Sequence, residues 1–349
     1  MNAARARFSS GELAVVLSHY DLGVIESARE YPRGSRRSPK IVIRTARGRF
    51  LLKRRAAGRD KPARIMFTHA LLRHLRAKRF PVPRLIRTRE GHDSLRTRDG
   101  RVYELFEYVS GEHYDFSLAQ TYHAGKTLAR LHRAVRGFET TWQPPTGGFH
   151  NSPNVRGGLN AVPTTISSHD SVVGREAEVL GLTQELFERY EEACEAVEQL
   201  GYARWPAWII HGDWHPGNML FRGGKVAVVL DFDSARRNPA VVDLANGMLQ
   251  FSILFDGDEP DAWPEFFDQT RMRRFYRAYT ARARLDASQI EAIPHLMIES
   301  LISECVVPVA VTGSLGQIPG FGVLQMAKRK VRWLLRNFDR MREWMESTT

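Results

Sequence analysis

Ten residues in the second half of the chain, HGDWHPGNML (His211–Leu220), gather two imidazoles, a carboxylate and an amide, and Asp231 follows at the end of the apolar run VVLDFD. A carboxylate at a strand end and an amide oxygen across a hairpin are hard oxygen donors, which suits Asp231 and Asn218 to Mg²⁺. Asp213 then remains free to accept a proton from a hydroxyl nucleophile. Metal, charge neutralisation and an oriented attacking oxygen are what phosphoryl transfer requires. A zinc cage is the competing reading, because His211 and His215 are four apart and would share one face of a helix. Pro216 and Gly217 follow at once and disfavour that helix, and no third His or Cys stands at ligand spacing.

These residues need elements to position them. WPAWII, the decapeptide, the RGGK turn and KVAVVLDFD predict strand, loop, strand, hairpin turn and strand. Upstream, Ser9 or Ser10 caps a short helix to about Tyr20. LGVIES, KIVIRT and RFLLKRR read as three strands, and Pro62–Lys78 as a helix with Ile65, Leu71, Leu72 and Leu75 buried. LIRTREGHDSLRTRDGRVYELFEYV alternates around two glycine turns, so a helix-supported antiparallel sheet ends near Val109. Helices follow: SLAQTYHAGKTLARLHRAV, LTQELFERYEEACEAVEQL closed by Gly201, and a basic one over about Val323–Trp344. Thr140 to about Ser171, rich in Pro, Gly, Ser and Asn, reads as a long loop or flap.

HGDWHPGN followed by LDFD resembles the signature of the aminoglycoside phosphotransferase and choline kinase family, small-molecule relatives of the protein kinases that include homoserine kinase-like members. The resemblance spans roughly Leu22 to Leu335. It implies an α+β, bilobal protein-kinase-like fold. An antiparallel sheet lobe with one main helix (residues 1–109) would hold nucleotide, and a larger helical lobe (110–349) the catalytic loop and acceptor site. It further implies ATP and Mg²⁺, with Asp213 catalytic and Asn218 and Asp231 on the metal. Lys53 in FLLKRR matches the lysine of the third strand that grips the α- and β-phosphates. Glu107 and Val109 in FEYVSGE match the backbone hinge that holds adenine, and Asp243 the helix acid that braces the catalytic loop. Two features depart from the pattern. The helix after Lys53 contains no acid, with Thr68 or His69 at the expected glutamate position. The front loop EYPRGSRRS has a single glycine, leaving Ser35, Arg36 and Arg37 as candidate phosphate contacts.

Composition bounds the rest. The net charge of +12 is concentrated in Met1–Glu107, which has 26 Lys/Arg against 10 Asp/Glu. Such a half suits a polyanion such as a nucleotide. Its basic residues lack the aromatic interleaving of a single-strand nucleic-acid face, so nucleic acid is not an expected partner. No uninterrupted apolar run of membrane-spanning length and no secretory leader is seen, so neither membrane nor export is expected. Two cysteines, Cys194 and Cys305, argue against a disulfide scaffold or a cysteine zinc site and fit a reducing cytoplasm. The expected acceptor is a small-molecule hydroxyl, of amino-alcohol, homoserine or aminoglycoside type. Trp214 or His215 could line its pocket, and the acids Asp256, Asp258, Glu259, Asp261, Glu265 and Asp268 could receive a cationic group. A protein Ser/Thr acceptor is the second reading, and a non-catalytic nucleotide- or nucleic-acid-binding module the third. The presence of Asp213, Asn218 and Asp231 together argues against the third.

Overall fold

Alternation of branched and polar residues makes the front of the chain a sheet. The computed structural model describes residues 6–31, 37–167, 172–255 and 259–348. Its first strands are β1 (Ile25–Glu30), β2 (Lys40–Thr45), β3 (Gly48–Arg54), β4 (Leu95–Arg96) and β5 (Val102–Glu107), in the antiparallel order β1-β2-β3-β5-β4. Because side chains point to opposite faces in turn, Ile41, Ile43, Phe50, Leu52, Tyr103 and Leu105 form one buried face. Val16 and Tyr20 from helix α1 (Ser10–Ser18) and its exit cover that face. The helix begins on a capping box, with Ser9 Oγ accepting from the Glu12 N–H. Glu12 is used twice, since its carboxylate also accepts from Arg54 and from the Tyr103 hydroxyl at 2.7 Å.

The same alternation sends Leu51, Lys53, Glu104 and Phe106 to the other face, where they line a cleft. Lys53 stands directly across from Glu104 in the β3–β5 register. Helix α2 (Pro62–Ala77) starts with Pro62 in its first turn and buries the expected Ile65, Leu71, Leu72 and Leu75, together with Phe67, Thr68 and His69.

Beyond residue 110 helices dominate: α3 (Leu118–Ala134), α4 (Pro153–Ile166), α5 (Glu176–Gln199), α6 (Ala240–Ser252), α7 (Gln269–Thr280), α8 (Ala287–Thr312), α9 (Gly320–Arg336) and α10 (Phe338–Glu346). Helix α8 is the hub on which α4, α5, α6 and α9 pack. By length and composition α8 is apolar enough to cross a membrane. Here it is wrapped by other helices, with Glu299 and Ser300 fully buried.

Two expectations are corrected. The stretch read as a flap over Thr140–Ser171 contains α4, despite Gly157, Gly158 and Pro163. Val155, Leu159, Val162 and Ile166 are buried as one stripe, and a Cβ on Gly158 would lie 3.0 Å from Val306 of α8. Packing against α8 therefore outweighs poor intrinsic propensity. The single basic helix over Val323–Trp344 is two helices, α9 and α10, parted at Asn337.

Candidate active site

Strands β6 (Ala207–Ile210), β7 (Met219–Arg222), β8 (Lys225–Val229) and β9 (Arg236–Pro239) build the catalytic loop's frame. β7 and β8 form the expected hairpin, whereas β6 pairs with β9 from beyond LDFD. The decapeptide and the LDFD turn are thus held side by side. His211 ties them, because its Nε2 donates to the Leu230 carbonyl at 3.0 Å and its ring packs edge-on against Phe232.

Gly212 has φ +73°, and a Cβ there would sit 2.4 Å from the Ser234 carbonyl, so both conformation and space demand glycine. Asp243, on α6, accepts from the N–H groups of His211 at 2.7 Å and Gly212 at 2.9 Å. Its remaining partner is His132 Nε2 of α3 at 3.2 Å. Burial alone would raise the Asp243 carboxyl, but the bond and charge of His132 reverse this and hold it below its usual range.

Asp213 points into the cleft with its side chain 37 % exposed. Asn218 Nδ2 donates to the Asp213 carbonyl at 3.0 Å and to its Oδ2 at 2.9 Å. The amide nitrogen being spent, Asn218 Oδ1 is the atom left for a cation. Asp231 closes the set in left-handed backbone, φ +58°, which Asp tolerates better than most residues. Its Oδ1 is buried without a hydrogen-bond partner and lies 3.7 Å from Lys53 Nζ. An orphaned carboxylate oxygen and a free amide oxygen at adjacent loops fit a hard divalent cation. His215 lies alongside, its Nδ1 accepting from Gly217 N–H and its Nε2 3.6 Å from Asp213 Oδ1. Trp214 is fully buried and does not line the cleft.

The missing glutamate of α2 finds its explanation here. Lys53 Nζ donates to Asp233, the second acid of LDFD, at 2.7 Å. Arg55, 3.0 Å from Asp233 and 2.8 Å from Glu104, joins the two acids into a buried network. His69, at the glutamate's expected place, donates through Nε2 to Glu104 at 2.5 Å. Arg64 of α2 caps the arrangement by donating to the Asp233 carbonyl. Burial works to raise both acids, but Lys53 and Arg55 hold Asp233 well below its usual range, and Arg55 with His69 pulls Glu104 down to about 2. Asp233 and Glu104 carried no assigned role in the sequence. Their signals were an acid two residues beyond Asp231 and an acid opposite Lys53 in register.

Replacing Glu104 with Ala would strip His69 of its carboxylate partner and leave Arg55 with Asp233 alone in the interior. Breaking such a buried pair costs about 3–5 kcal/mol, readable as a lowered denaturation midpoint. For wild type, the stability tied to Glu104 ionisation is complete above its ordinary value near 4.5 and is lost as pH falls toward about 2. An acid-insensitive midpoint over that window would refute the assignment.

The cleft between sheet and helices has a volume of about 500 Å³ and is lined by Lys53, Asp213, Asn218 and Asp231 along with Glu107 and Val109. The Glu107 N–H is taken by the Arg84 carbonyl at 2.8 Å, and Tyr108 N–H by Arg49. Among the described residues, the Val109 N–H makes no main-chain bond. Ser35 and Arg36 lie outside the described residues, as do Asp256, Asp258 and the Asp261 side chain. Two other members of the acidic run are already engaged: Glu265 pairs with Arg336 at 3.0 Å, and Asp268 caps α7 while bonding Arg271 at 2.7 Å. A different acid, Glu304 of α8, feels the charge of Asp213. It accepts from Gln250 of α6, and with the Asn246 amide in the turned orientation that satisfies its neighbours it also accepts from Asn246 Nδ2 at 3.0 Å, while the Asn246 oxygen accepts from Trp214 N–H.

Residues 28–287 match the profile of the phosphotransferase enzyme family. Homoserine kinase of Azorhizobium caulinodans is 26% identical over 289 residues, covering 82% of this chain and 81% of that protein. An amicoumacin kinase in complex with AMP-PNP and Ca²⁺ superposes with a TM-score of 0.69 at 13% identity, over 94% of each chain. An aminoglycoside phosphotransferase of Alicyclobacillus acidocaldarius superposes with a TM-score of 0.66 at 20% identity, over 99% of this chain and 98% of that one. With three quarters of its length matched, this chain belongs to the phosphotransferase enzyme family and is an ATP-dependent kinase that acts on a hydroxyl group.

Proposed function

We propose that the acceptor is a small alcohol bearing a cationic amine, and that ATP enters as its Mg²⁺ complex. Residues 1–109 then form the nucleotide lobe and 110–349 the acceptor lobe. The observation that carries the reading is Glu304, an acid held by Gln250 and the Asn246 amide within electrostatic reach of Asp213. Surrounding protein and the nearby Asp213 charge raise its carboxyl above the usual carboxylate range, although the side chain keeps a solvent-exposed edge. A bound ammonium would reverse that and gain a charge-assisted hydrogen bond. The amine-bearing acceptors named for the relatives support the same class.

In this reading Asp213 orients the acceptor hydroxyl and takes its proton as the oxygen attacks the γ-phosphorus and ADP leaves. Lys53 turns from Asp233 to the α- and β-phosphates, and Glu107 and Val109 hold adenine through their backbones. Asn218 and Asp231 would hold the Mg²⁺, which screens the charge developing on the phosphates.

A panel of amino alcohols, their deaminated counterparts and generic proteins, scored for phosphate transfer from ATP, tests the proposal. Amine-bearing alcohols should turn over, and Glu304→Gln should raise their KM by about 10- to 100-fold, the loss of one charged hydrogen bond, with the KM for ATP unchanged. Because Glu304 must ionise to bind the amine, acceptor KM should fall as pH rises through its raised titration range. Equal use of alcohols lacking the amine, or preferential labelling of proteins, would exclude it.

A further inference from the structure

Outside the lining of the cleft, three elements converge on one point inside the helical half. The turn before α4 supplies His150, α5 supplies Cys194, and α8 supplies Glu299. Their ligand-capable atoms all lie within 4.8 Å of one another. Cys194 Sγ is 3.3 Å from Glu299 Oε2, and His150 Nδ1 is 2.9 Å from that same oxygen. The Glu299 side chain is fully buried and that of His150 is 3 % exposed. We propose that His150 Nδ1, Cys194 Sγ and the Glu299 carboxylate form a Zn²⁺ site that staples the α4 turn to α5 and α8.

Ligand chemistry selects the ion. One nitrogen, one sulfur and one carboxylate match borderline zinc, whereas Mg²⁺ and Ca²⁺ want oxygen throughout. Zinc bonds of about 2.0–2.3 Å at tetrahedral angles put neighbouring ligand atoms roughly 3.3–3.6 Å apart. Two of the three separations, 2.9 and 3.3 Å, already lie close to that range and the third is within 4.8 Å, and a water or the second Glu299 oxygen completes the shell.

The surroundings also suit a metal. His150 Nε2 lies 3.2 Å from Glu198 Oε1, the carboxylate behind the ring that fixes the tautomer of a metal-bound histidine. Asn151 N–H donates to Glu299 Oε2 at 3.2 Å and anchors that ligand as well. Both ring nitrogens of His150 face carboxylates. With a cation on Nδ1, a singly protonated ring satisfies both sides. The ion's two charges balance one thiolate and one carboxylate, which leaves a neutral centre in the interior. Glu198 is 43 % exposed, so the site is one side chain from solvent. Burial keeps the Cys194 thiol protonated in the absence of metal, so loading releases that proton and strengthens with rising pH.

The test uses the full chain, stripped with chelator and re-equilibrated with Zn²⁺ or Co²⁺. Expected are one zinc per chain after desalting, a higher melting temperature with zinc, and a near-ultraviolet thiolate-to-cobalt charge-transfer band. Cys194→Ala should abolish the band and the bound zinc, while Cys305→Ala, at the other buried thiol, should leave both intact. A cation held by Asn218 and Asp231 has no sulfur neighbour and gives no such band, so failure here is separable from failure of the kinase reading. Substoichiometric zinc in wild type, a cobalt spectrum without the thiolate band, or wild-type zinc content in Cys194→Ala would overturn the proposal and leave a purely hydrogen-bonded knot. The wild-type spectrum alone decides the matter if the variants fail to fold.

Discussion

Substituting Ala for Asp213 should lower kcat by about 100- to 10,000-fold, the range that a positioned proton acceptor contributes, while ATP still binds. The asymmetry follows from geometry. Among the described residues, Asp213 hydrogen-bonds to Asn218 and borders His215, and no hydrogen bond or ion pair joins its side chain to Lys53, Glu107 or Val109. In the proposed mechanism, removing it deletes the group that faces the hydroxyl and spares those assigned to the nucleotide. Its loss also frees the Asn218 amide nitrogen from one of two bonds, so a modest change in metal affinity accompanies the collapse of turnover. Nucleotide titration with a fluorescent ATP analogue beside single-turnover kinetics separates the two effects. A variant that retains wild-type turnover would place the proton acceptor elsewhere.

Asp231→Asn carries the second large effect, and it falls on metal-dependent binding. Asn keeps the shape and tolerates the left-handed backbone at φ +58°, so folding is spared and only the charge is lost. The oxygen that is buried without a hydrogen bond in wild type is then a poor partner for a dication. ATP affinity at saturating Mg²⁺ should drop by roughly 10- to 100-fold, as expected for a lost charged interaction of about 1.5–3 kcal/mol. Binding without divalent metal should be unchanged or slightly tighter, because one negative charge has left the phosphate site. Calorimetry across a magnesium series reads this directly. An unaltered magnesium dependence would remove Asp231 from the metal site.

The chemistry was legible because it is local. HGDWHPGN and LDFD lie within one strand–loop–hairpin segment, and the turn residues Pro216, Gly217 and the RGGK pair dictate that segment almost unaided. Alternation likewise placed Lys53 on the cleft face and Leu52 on the core face. Where glycine and proline dominate, local signals mislead. Helix α4 was hidden by its composition, although the 4-3-4 spacing of Val155, Leu159, Val162 and Ile166 marks its buried stripe. The acidic run drew attention for its density, yet Glu265 and Asp268 spend their charge on neighbouring arginines.

Sequence alone determined the class of reaction and nominated the groups proposed to perform it, since short-range spacing and residue type suffice to pick out a loop with an acid, an amide and a second acid. Only the tertiary structure decided what partners those groups. Lys53 finds Asp233 across 180 residues, Glu104 pairs with His69 across a sheet and a helix, and Glu304 is carried to Asp213 by α8. The same folding gathers His150, Cys194 and Glu299 from segments up to 149 residues apart. Such contacts are set by how helices pack and strands register, and a buried charge takes whichever opposite charge the packing brings within reach.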